Sequence, residues 1–147
     1  MYKEVRSEMV KFPYVAGPEM PIDEAVNYMK ECNIRHLPIM VQTRLVGVVS
    51  ERDLAAAQGR DPDMTIEDVM TRMPFVVSEG ESLRSVVNIM AENKYGCALV
   101  VDANEALIGI FTTIDALRLL EKFLEGDSKF YNSFENVITL KDAVGWM

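Results

Sequence analysis

The sequence has little of what metal, disulfide and catalytic sites require. Its 147 residues include two cysteines, Cys32 and Cys97, and one histidine, His36. The cysteines lack the CxxC spacing of zinc and redox sites, and His36 has no His or Cys neighbour on a predicted helix with which to hold a metal, so we expect two buried thiols and no metal. The chain also lacks a nucleophile motif, a GxxxxGK phosphate loop and suitably spaced paired acids. An enzyme is therefore not expected.

Basic residues and long apolar runs are also scarce. The chain has 15 Lys and Arg against 23 Asp and Glu, a formal net charge of −8. This excludes a general nucleic-acid surface, because phosphate binding needs clustered cations. No apolar run approaches the roughly 20 residues that cross a bilayer, and the start MYKEVRSEMV lacks the apolar core of a secretory signal. We therefore expect a cytoplasmic protein with no membrane partner.

An internal repeat dominates what the sequence does contain. A shift of 61 residues places FPYVA, residues 12–16, on MPFVV, residues 73–77. One extra residue in the DANEA turn, residues 102–106, makes the shift 62 thereafter and places Asp53 on Asp115. Repeats of this kind are single structural units that stack against each other to bury their apolar faces.

Each copy predicts the same order of elements. Apolar residues at three-four-three spacing predict helices around residues 22–29 and 83–90. Short β-branched runs then predict a hairpin in each copy, LPIMV with LVGVV and ALVV with LIGIF. Second helices are predicted at Glu51 to Ala57 and at Thr113 to Glu125, with Gly126 as a left-handed cap.

The expected fold is α/β, with two β-α-β-β-α halves related by a pseudo-twofold axis. Pairing the halves in this way would bury the apolar faces that a unit of about 55 residues leaves uncovered. The predicted boundaries are residues 5–58 for the first repeat and 63–122 for the second, joined by a linker at Gly59 to Pro62. Residues 126–147 form a C-terminal tail outside the repeat.

The junctions GVVSERD and GIFTTID leave two interpretations open. In one, Ser50 and Thr112 are helix N-caps, and Asp53 and Asp115 simply favour the positive end of each helix. In the other, the acids serve a ligand. A reciprocal capping box prefers Glu or Gln at that position, and Asp is one methylene shorter, so Asp could point outward and accept both hydroxyls of a ribose.

The doubled pattern resembles a pair of cystathionine β-synthase (CBS) domains, the arrangement called a Bateman module. The resemblance covers about Val5 to Leu120. It is carried by MVKFPYV and MTRMPFVV at the heads, by NIRHLPIM and KYGCALVVDANEALIG in the middle, and by the endings GVVSERDL and GIFTTIDAL. The resemblance implies a non-catalytic regulatory module with two clefts for adenine nucleotides.

The resemblance also implies site residues. Ribose would be held by Ser50 with Asp53 and by Thr112 with Asp115. Adenine would lie against Val15, Ala16, Val76 and Val77. Phosphate would face the basic residues Arg35, His36 and Arg52.

The two copies differ where phosphate would lie. Gly96 and Cys97 stand where the first copy has Arg35 and His36, so the second half offers little positive charge of its own. A triphosphate in a chain of charge −8 needs local cations. We therefore predict unequal sites, at most one of them tight for a highly charged nucleotide.

Ligands and partners follow from the same resemblance. It implies AMP, ADP or ATP, with S-adenosylmethionine as a further candidate, no required cofactor, and an unidentified regulated protein. Met29 and Met90 lie on helices that would form a homodimer face. The alternative is an oligomerisation module with vestigial clefts. The aromatic tail is expected to pack on its own domain or on a twin subunit, with a docking peptide as the alternative; its aromatic residues are Phe130, Tyr131, Phe134 and Trp146.

Overall fold

A computed structural model describes residues 3–126 of the chain. The compact units divide between Thr113 and Ile114, and each is described by itself. Apart from Gly126, the predicted tail lies outside the described residues. No helix within residues 3–126 is long and apolar enough to cross a bilayer. The same residues contain no group of three or more His, Cys, Asp or Glu side chains that could hold a metal ion.

Strands and helices alternate in a mixed α/β fold. A 3-10 turn at Val5–Ser7 precedes the first strand. The first half contains β1 (Val10–Lys11), α1 (Ile22–Cys32), β2 (His36–Val41), β3 (Arg44–Ser50) and α2 (Glu51–Ala57). A short helix, α3 (Ile66–Val69), leads into β4 (Val76–Ser78), α4 (Leu83–Asn93), β5 (Cys97–Val101), β6 (Leu107–Thr112) and α5 (Thr113–Gly126).

The predicted elements agree with these helices and hairpins to within a few residues, except at the helix caps. Gly126 is the last residue of α5 and has no positive φ, so its prediction as a left-handed cap is wrong. Left-handed caps occur instead at Asn33 after α1, with φ of 53°, and at Lys94 after α4, with φ of 58°. Asn is, after Gly, a residue that favours this position, whereas Lys94 carries no sequence signal for a cap.

The amphipathic helices bury the predicted faces. Helix α1 buries Ile22, Ala25 and Met29, and α4 buries Val86 and Met90. In the first half, the face of α1 packs with strand residues such as Leu37 in one apolar core. Each large apolar side chain that is fully buried contributes about 1.5 to 3 kcal/mol, so these faces hold the helices on the sheets.

The sheets exchange strands between the halves. One sheet is the β2-β3 hairpin, and the other has the strand order β1-β6-β5-β4. Strand β1 belongs to the first half, yet Val10 pairs with Ile110 in β6 of the second half. Reciprocally, Thr71 of the second half bonds to Val48 in β3, with N to O distances of 3.0 and 2.8 Å. The first half therefore contributes strand β1 to the second half, and the second half contributes an isolated bridge at Thr71 to the first.

Further backbone pairs follow the same approximate twofold relation. They recur at the repeat shift of 61 residues and confirm the predicted pseudo-symmetry for residues up to Thr113. These pairs are Glu4 with Ser82 and Thr65 with Pro21, and Ala16 with Ile39 and Val77 with Val100.

Gly47 and Gly109 lie where the exchanged strands cross. A Cβ atom on Gly47 would lie 2.7 Å from the Thr71 carbonyl oxygen and 2.9 Å from the Met70 sulfur. A Cβ atom on Gly109 would meet the Met9 side chain and lie 3.2 Å from the Val10 carbonyl oxygen. The glycine that opens each GVVSERD and GIFTTID junction is therefore required by the strand that the other half contributes.

Candidate functional site

Ser50 and Asp53 form a reciprocal capping box at the start of α2. The Asp53 amide donates to Ser50 Oγ (3.1 Å), and the Ser50 amide donates to Asp53 Oδ2 (2.9 Å). The expectation that the shorter Asp side chain would point away from its own backbone is therefore wrong. Both open interpretations of the junction now start from an Asp53 that caps its helix.

Backbone geometry explains why Asp is long enough. Ser50 has extended φ and ψ of −100° and 159°, which turns its amide back over the first helical turn. Thr65 and Asp68 repeat the arrangement at α3, where the Thr65 amide donates to Asp68 Oδ2 at 2.9 Å. The cap uses only Oδ2 of Asp53; within residues 3–126 no hydrogen bond is assigned to Oδ1. An ionised carboxylate accepts on both oxygens, so Oδ1 keeps its capacity for a ligand hydroxyl.

His36 connects this helix start to the other half of the molecule. It pairs with Ser50 across β2 and β3. A Cβ atom on Gly96 would lie 2.9 Å from His36 Cε1, so the imidazole packs directly on the backbone of the second half. Burial lowers the pKa of His36 below its ordinary value; the Asp53 carboxylate opposes this effect and the Arg35 guanidinium adds to it.

Aromatic and apolar side chains of the second half lie near Gly96 in the sequence and in the sheet. The rings of Tyr95 and Phe75 lie 5.3 Å apart, centre to centre. Val76 follows Phe75 in β4, which runs parallel to β5, and Val76 and Tyr95 are both exposed. Val76 pairs with Leu99, three strand residues, or about 10 Å, from Gly96.

We define the Asp53 site as His36, Ser50 and Asp53 from the first half, with Gly96, which the His36 ring contacts, and the exposed Tyr95 and Val76 from the second half. The site therefore combines residues of both repeats. The sequence predicts the positive charge of each half separately. The structure instead brings the half that carries Arg35 and His36 together with the half that carries Gly96 and Cys97.

The basic residues predicted to face phosphate differ in their surroundings. Arg35 Nε forms an ion pair with Glu51 Oε2 at 3.2 Å, with side chains 69% and 60% exposed. The Glu51 amide also donates to the Arg35 carbonyl oxygen at 2.8 Å, which holds the two residues together. Arg52 is exposed on α2. The Arg35 guanidinium is thus paired with the Glu51 carboxylate. The predicted role of Arg35 in phosphate binding stays a prediction.

The residues predicted to contact adenine in the first half lie beside β2. Ala16 is buried, and its amide donates to the Pro38 carbonyl oxygen at 3.1 Å. Val15 is exposed, and its carbonyl oxygen accepts the Tyr28 hydroxyl at 3.4 Å. Val77, the counterpart of Ala16, is likewise buried. Only Val15 and Val76 of the four predicted residues therefore present an exposed side chain, and contact through Ala16 and Val77 would use mainly backbone.

The second pair of residues predicted to bind ribose, Thr112 and Asp115, lies where β6 ends and α5 begins. Thr112 pairs with Cys97, and the Thr113 amide donates to the Gly96 carbonyl oxygen at 3.0 Å, the counterpart of the bond between Glu51 and Arg35. Asp115 lies in the first turn of α5. The ribose role of Thr112 and Asp115 stays a prediction. Burial raises the pKa of Cys97 to about 12, so this residue is a neutral thiol.

Sequence reasoning does not identify the aromatic residues next to the predicted adenine contacts Val15 and Val76. Tyr14 and Phe75 are equivalent under the repeat shift, and each ring lies near the ring of a tyrosine. The ring centres are 6.3 Å apart for Tyr14 and Tyr28 and 5.3 Å apart for Phe75 and Tyr95. The sequence does contain a signal for them, namely an aromatic residue at the same position of both copies. Their partners come from non-equivalent positions, so the pairs could not be read from the repeat alone.

Sequence comparison identifies the family. The chain matches the CBS domain at residues 3–60 and 66–122. It is 35% identical over 109 residues to an uncharacterized 17.7 kDa protein of Acidianus ambivalens, covering 73% of this chain and 66% of that protein. It is 34% identical over 102 residues to homoserine O-acetyltransferase of Methanosphaera stadtmanae, covering 69% of this chain but only 21% of the enzyme. In that enzyme the match is confined to one part of a longer chain.

Solved structures with the same fold contain adenosine compounds. The CBS domain pair of protein MJ0100, in complex with 5′-methylthioadenosine and S-adenosyl-L-methionine, superimposes with a TM-score of 0.77 at 31% identity, covering 83% of this chain and 98% of that one. CBSX2 of Arabidopsis thaliana in complex with AMP gives 0.71 at 28% identity, covering 82% and 97%. With two matched repeats and this fold, the chain belongs to the CBS domain family.

Proposed function

We propose that this protein is a non-catalytic regulatory module that binds an adenosine-containing ligand between its two repeats. One observation carries the proposal: Asp53 caps α2 with a single carboxylate oxygen, in a half-buried position beside His36, whose ring packs on Gly96 of the other repeat. The relatives named with 5′-methylthioadenosine, S-adenosylmethionine and AMP support the ligand class.

Each residue of the Asp53 site has a distinct role in this proposal. Asp53 Oδ1 accepts the neighbouring ribose hydroxyls, each charge-assisted bond contributing about 1.5 to 3 kcal/mol. The exposed side chains of Val76 and Tyr95 provide apolar surface for the base. Gly96 lets the ligand approach the backbone closely. Thr112 and Asp115 are proposed for the same ribose role as Ser50 and Asp53.

Thermal unfolding with and without 5′-methylthioadenosine, S-adenosylmethionine, AMP and ATP tests the proposal. A ligand at a hundredfold excess over its dissociation constant stabilises the fold by about 2.7 kcal/mol, which raises Tm by several degrees. We expect at least one compound to do so. A Tm that none of the four compounds changes would contradict the proposal.

Asp53→Ala and Asp68→Ala form a matched pair for this test. Both carboxylates accept the amide of their own N-cap residue at 2.9 Å. Each variant should therefore lose about 1 kcal/mol of stability from the lost cap. Only Asp53→Ala should also lose most of the Tm response to ligand. An equal loss of response in both variants would show that the response reflects helix capping rather than ribose binding.

Exposed apolar residues on α5 favour assembly as a second candidate function. Ile114, Leu117, Leu120 and Phe123 recur every three residues and are all exposed. An open groove on the same helix holds none of the predicted ligand residues; it is lined by Leu117, Leu120, Glu121, Leu124 and Glu125. The Tm of the wild type separates the two functions, because a pure assembly module would respond to none of the four compounds. Sedimentation should then show the same oligomeric state for the wild type and for Asp53→Ala.

A further inference from the structure

We propose that the Asp53 site selects adenosine compounds of low negative charge, such as nucleoside thioethers and sulfonium nucleosides, over nucleoside di- and triphosphates, and that Glu51 is a specificity-determining residue for this choice. The inference rests on the proposed function, since it concerns the ligand of the same site. It is carried by the charges that the two repeats bring to the site.

The first half brings nearly balanced charges. Glu51 and Asp53 place two carboxylates in the first turn of α2. Arg35 is already paired with Glu51 at 3.2 Å, so its charge is largely offset before a ligand arrives. Arg52 is the further cation on this helix, and it is exposed. Positive charge is therefore not in excess on this side.

The second half adds little positive charge. At the positions equivalent to Arg35 and His36 it has Gly96 and Cys97, and Cys97 is a buried neutral thiol. Lys94, an exposed residue two positions before Gly96, is the cation that this segment offers. His36 adds no full charge near neutral pH, because burial lowers its pKa.

Counting these groups shows why phosphate is disfavoured. The segments that form the site carry three cations, Arg35, Arg52 and Lys94, and two carboxylates, those of Glu51 and Asp53, in a chain of net charge −8. Each phosphate group adds about one to two negative charges, so the single surplus cation cannot offset a di- or triphosphate. A neutral thioether needs no offset, and a sulfonium group is attracted by both acids.

Titration of the His36 imidazole signals by NMR tests the inference at this site. The chain has one histidine, so its signals report binding beside Asp53 without interference from other histidines. We expect 5′-methylthioadenosine and S-adenosylmethionine to bind about tenfold or more tightly than ATP, because the negative charge of ATP exceeds what the nearby cations offset, even with partial screening by salt. ATP binding as tightly as 5′-methylthioadenosine would overturn the inference and leave the proposed function standing. If none of the four compounds shifts the signals, both fail.

Glu51→Gln and Glu67→Gln give a matched comparison. Glu67 pairs with Arg72 at 3.7 Å, with side chains 56% and 65% exposed, close to the exposure of the Glu51 pair. Glu51→Gln should strengthen ATP binding about threefold to tenfold by freeing Arg35 and removing one negative charge, and should change 5′-methylthioadenosine binding by less than about twofold. Glu67→Gln should leave both affinities unchanged. An ATP affinity that responds equally to both variants, or to neither, would remove Glu51 from the specificity role.

Discussion

Asp53 illustrates how much a single side chain depends on its backbone. The sequence placed Asp three residues after Ser50, and both a capping role and a ligand role were consistent with that spacing. The extended backbone of Ser50 lets the short side chain reach its amide, which chain length alone argued against. Side-chain length predicts reach only when the backbone conformation of both partners is known, and here it was not.

His36 provides a pH test at the same scale. Its pKa in the folded protein lies below the ordinary 6.5, because burial disfavours the charged imidazolium. Between the folded and unfolded pKa values of His36, the unfolded chain binds more protons than the folded protein. The free energy of unfolding therefore keeps its full value above about pH 6.5 and decreases as the pH falls below it. We expect the free energy of unfolding, measured in urea, to fall more steeply with acid in the wild type than in His36→Gln.

The two pH curves separate this effect from packing. Loss of the imidazole contact with Gly96 would shift the whole His36→Gln curve by a constant amount, whereas loss of the titration changes its slope. The acidic residues remain in both proteins and cancel in the difference. Parallel curves on both sides of pH 6.5 would contradict a depressed His36 pKa.

At the scale of elements, the hairpins and helices were largely predictable, but their contacts were not. Periodicity placed the faces of α1 and α4, and the β-branched runs placed β2, β3, β5 and β6. It did not locate the opening strand of the first half, β1, whose two residues form a strand because β6 of the other half lies beside them. Short strands depend on their partner for stability, so local sequence cannot reveal them.

Gly47 gives the sharpest test of these crossings. In Gly47→Ala, the new Cβ would lie 2.7 Å from the Thr71 carbonyl oxygen, a backbone atom that cannot move without the exchanged strand. We expect a loss of about 1 to 3 kcal/mol in the free energy of unfolding, the usual cost of overpacking. Urea denaturation measures this loss.

Gly126→Ala is the control of opposite sign. Nothing lies within 4 Å of a Cβ on Gly126, which has helical rather than left-handed backbone in α5. Alanine at this position should either leave the free energy of unfolding unchanged or raise it by up to about 1 kcal/mol. If Gly47→Ala is as harmless as Gly126→Ala, the close approach of the exchanged strand does not exist in solution.

At the scale of the whole molecule, strand exchange makes the two halves interdependent. Strand β1 completes the second half, and the segment at Thr71 completes the first. A half on its own would leave β3 or β6 with an unpaired edge and an uncovered apolar face. Pairing of the repeats is therefore part of folding and not a later docking of two finished domains.

Cutting the chain in the linker between Gly59 and Pro62 tests this dependence. We expect each fragment alone to lack the circular dichroism and dispersed NMR spectrum of a folded domain, since its exchanged strand is on the other fragment. Mixing the two should restore both signals. A fragment that folds alone as a monomer would show that exchange is not needed. The domain boundaries at residues 58 and 63 stay a prediction that the same fragments can refine.

The sequence by itself determined the doubled α/β architecture and the family, because periodicity, turn residues and the recurring junctions are local and appear twice. Only the tertiary structure decided which residues of the chain come into contact. His36 on Gly96 and β1 on β6 are contacts between the two halves, and Arg35 on Glu51 joins two segments within the first half. Such contacts depend on how two similar surfaces pack, and the charge at the Asp53 site follows from that packing.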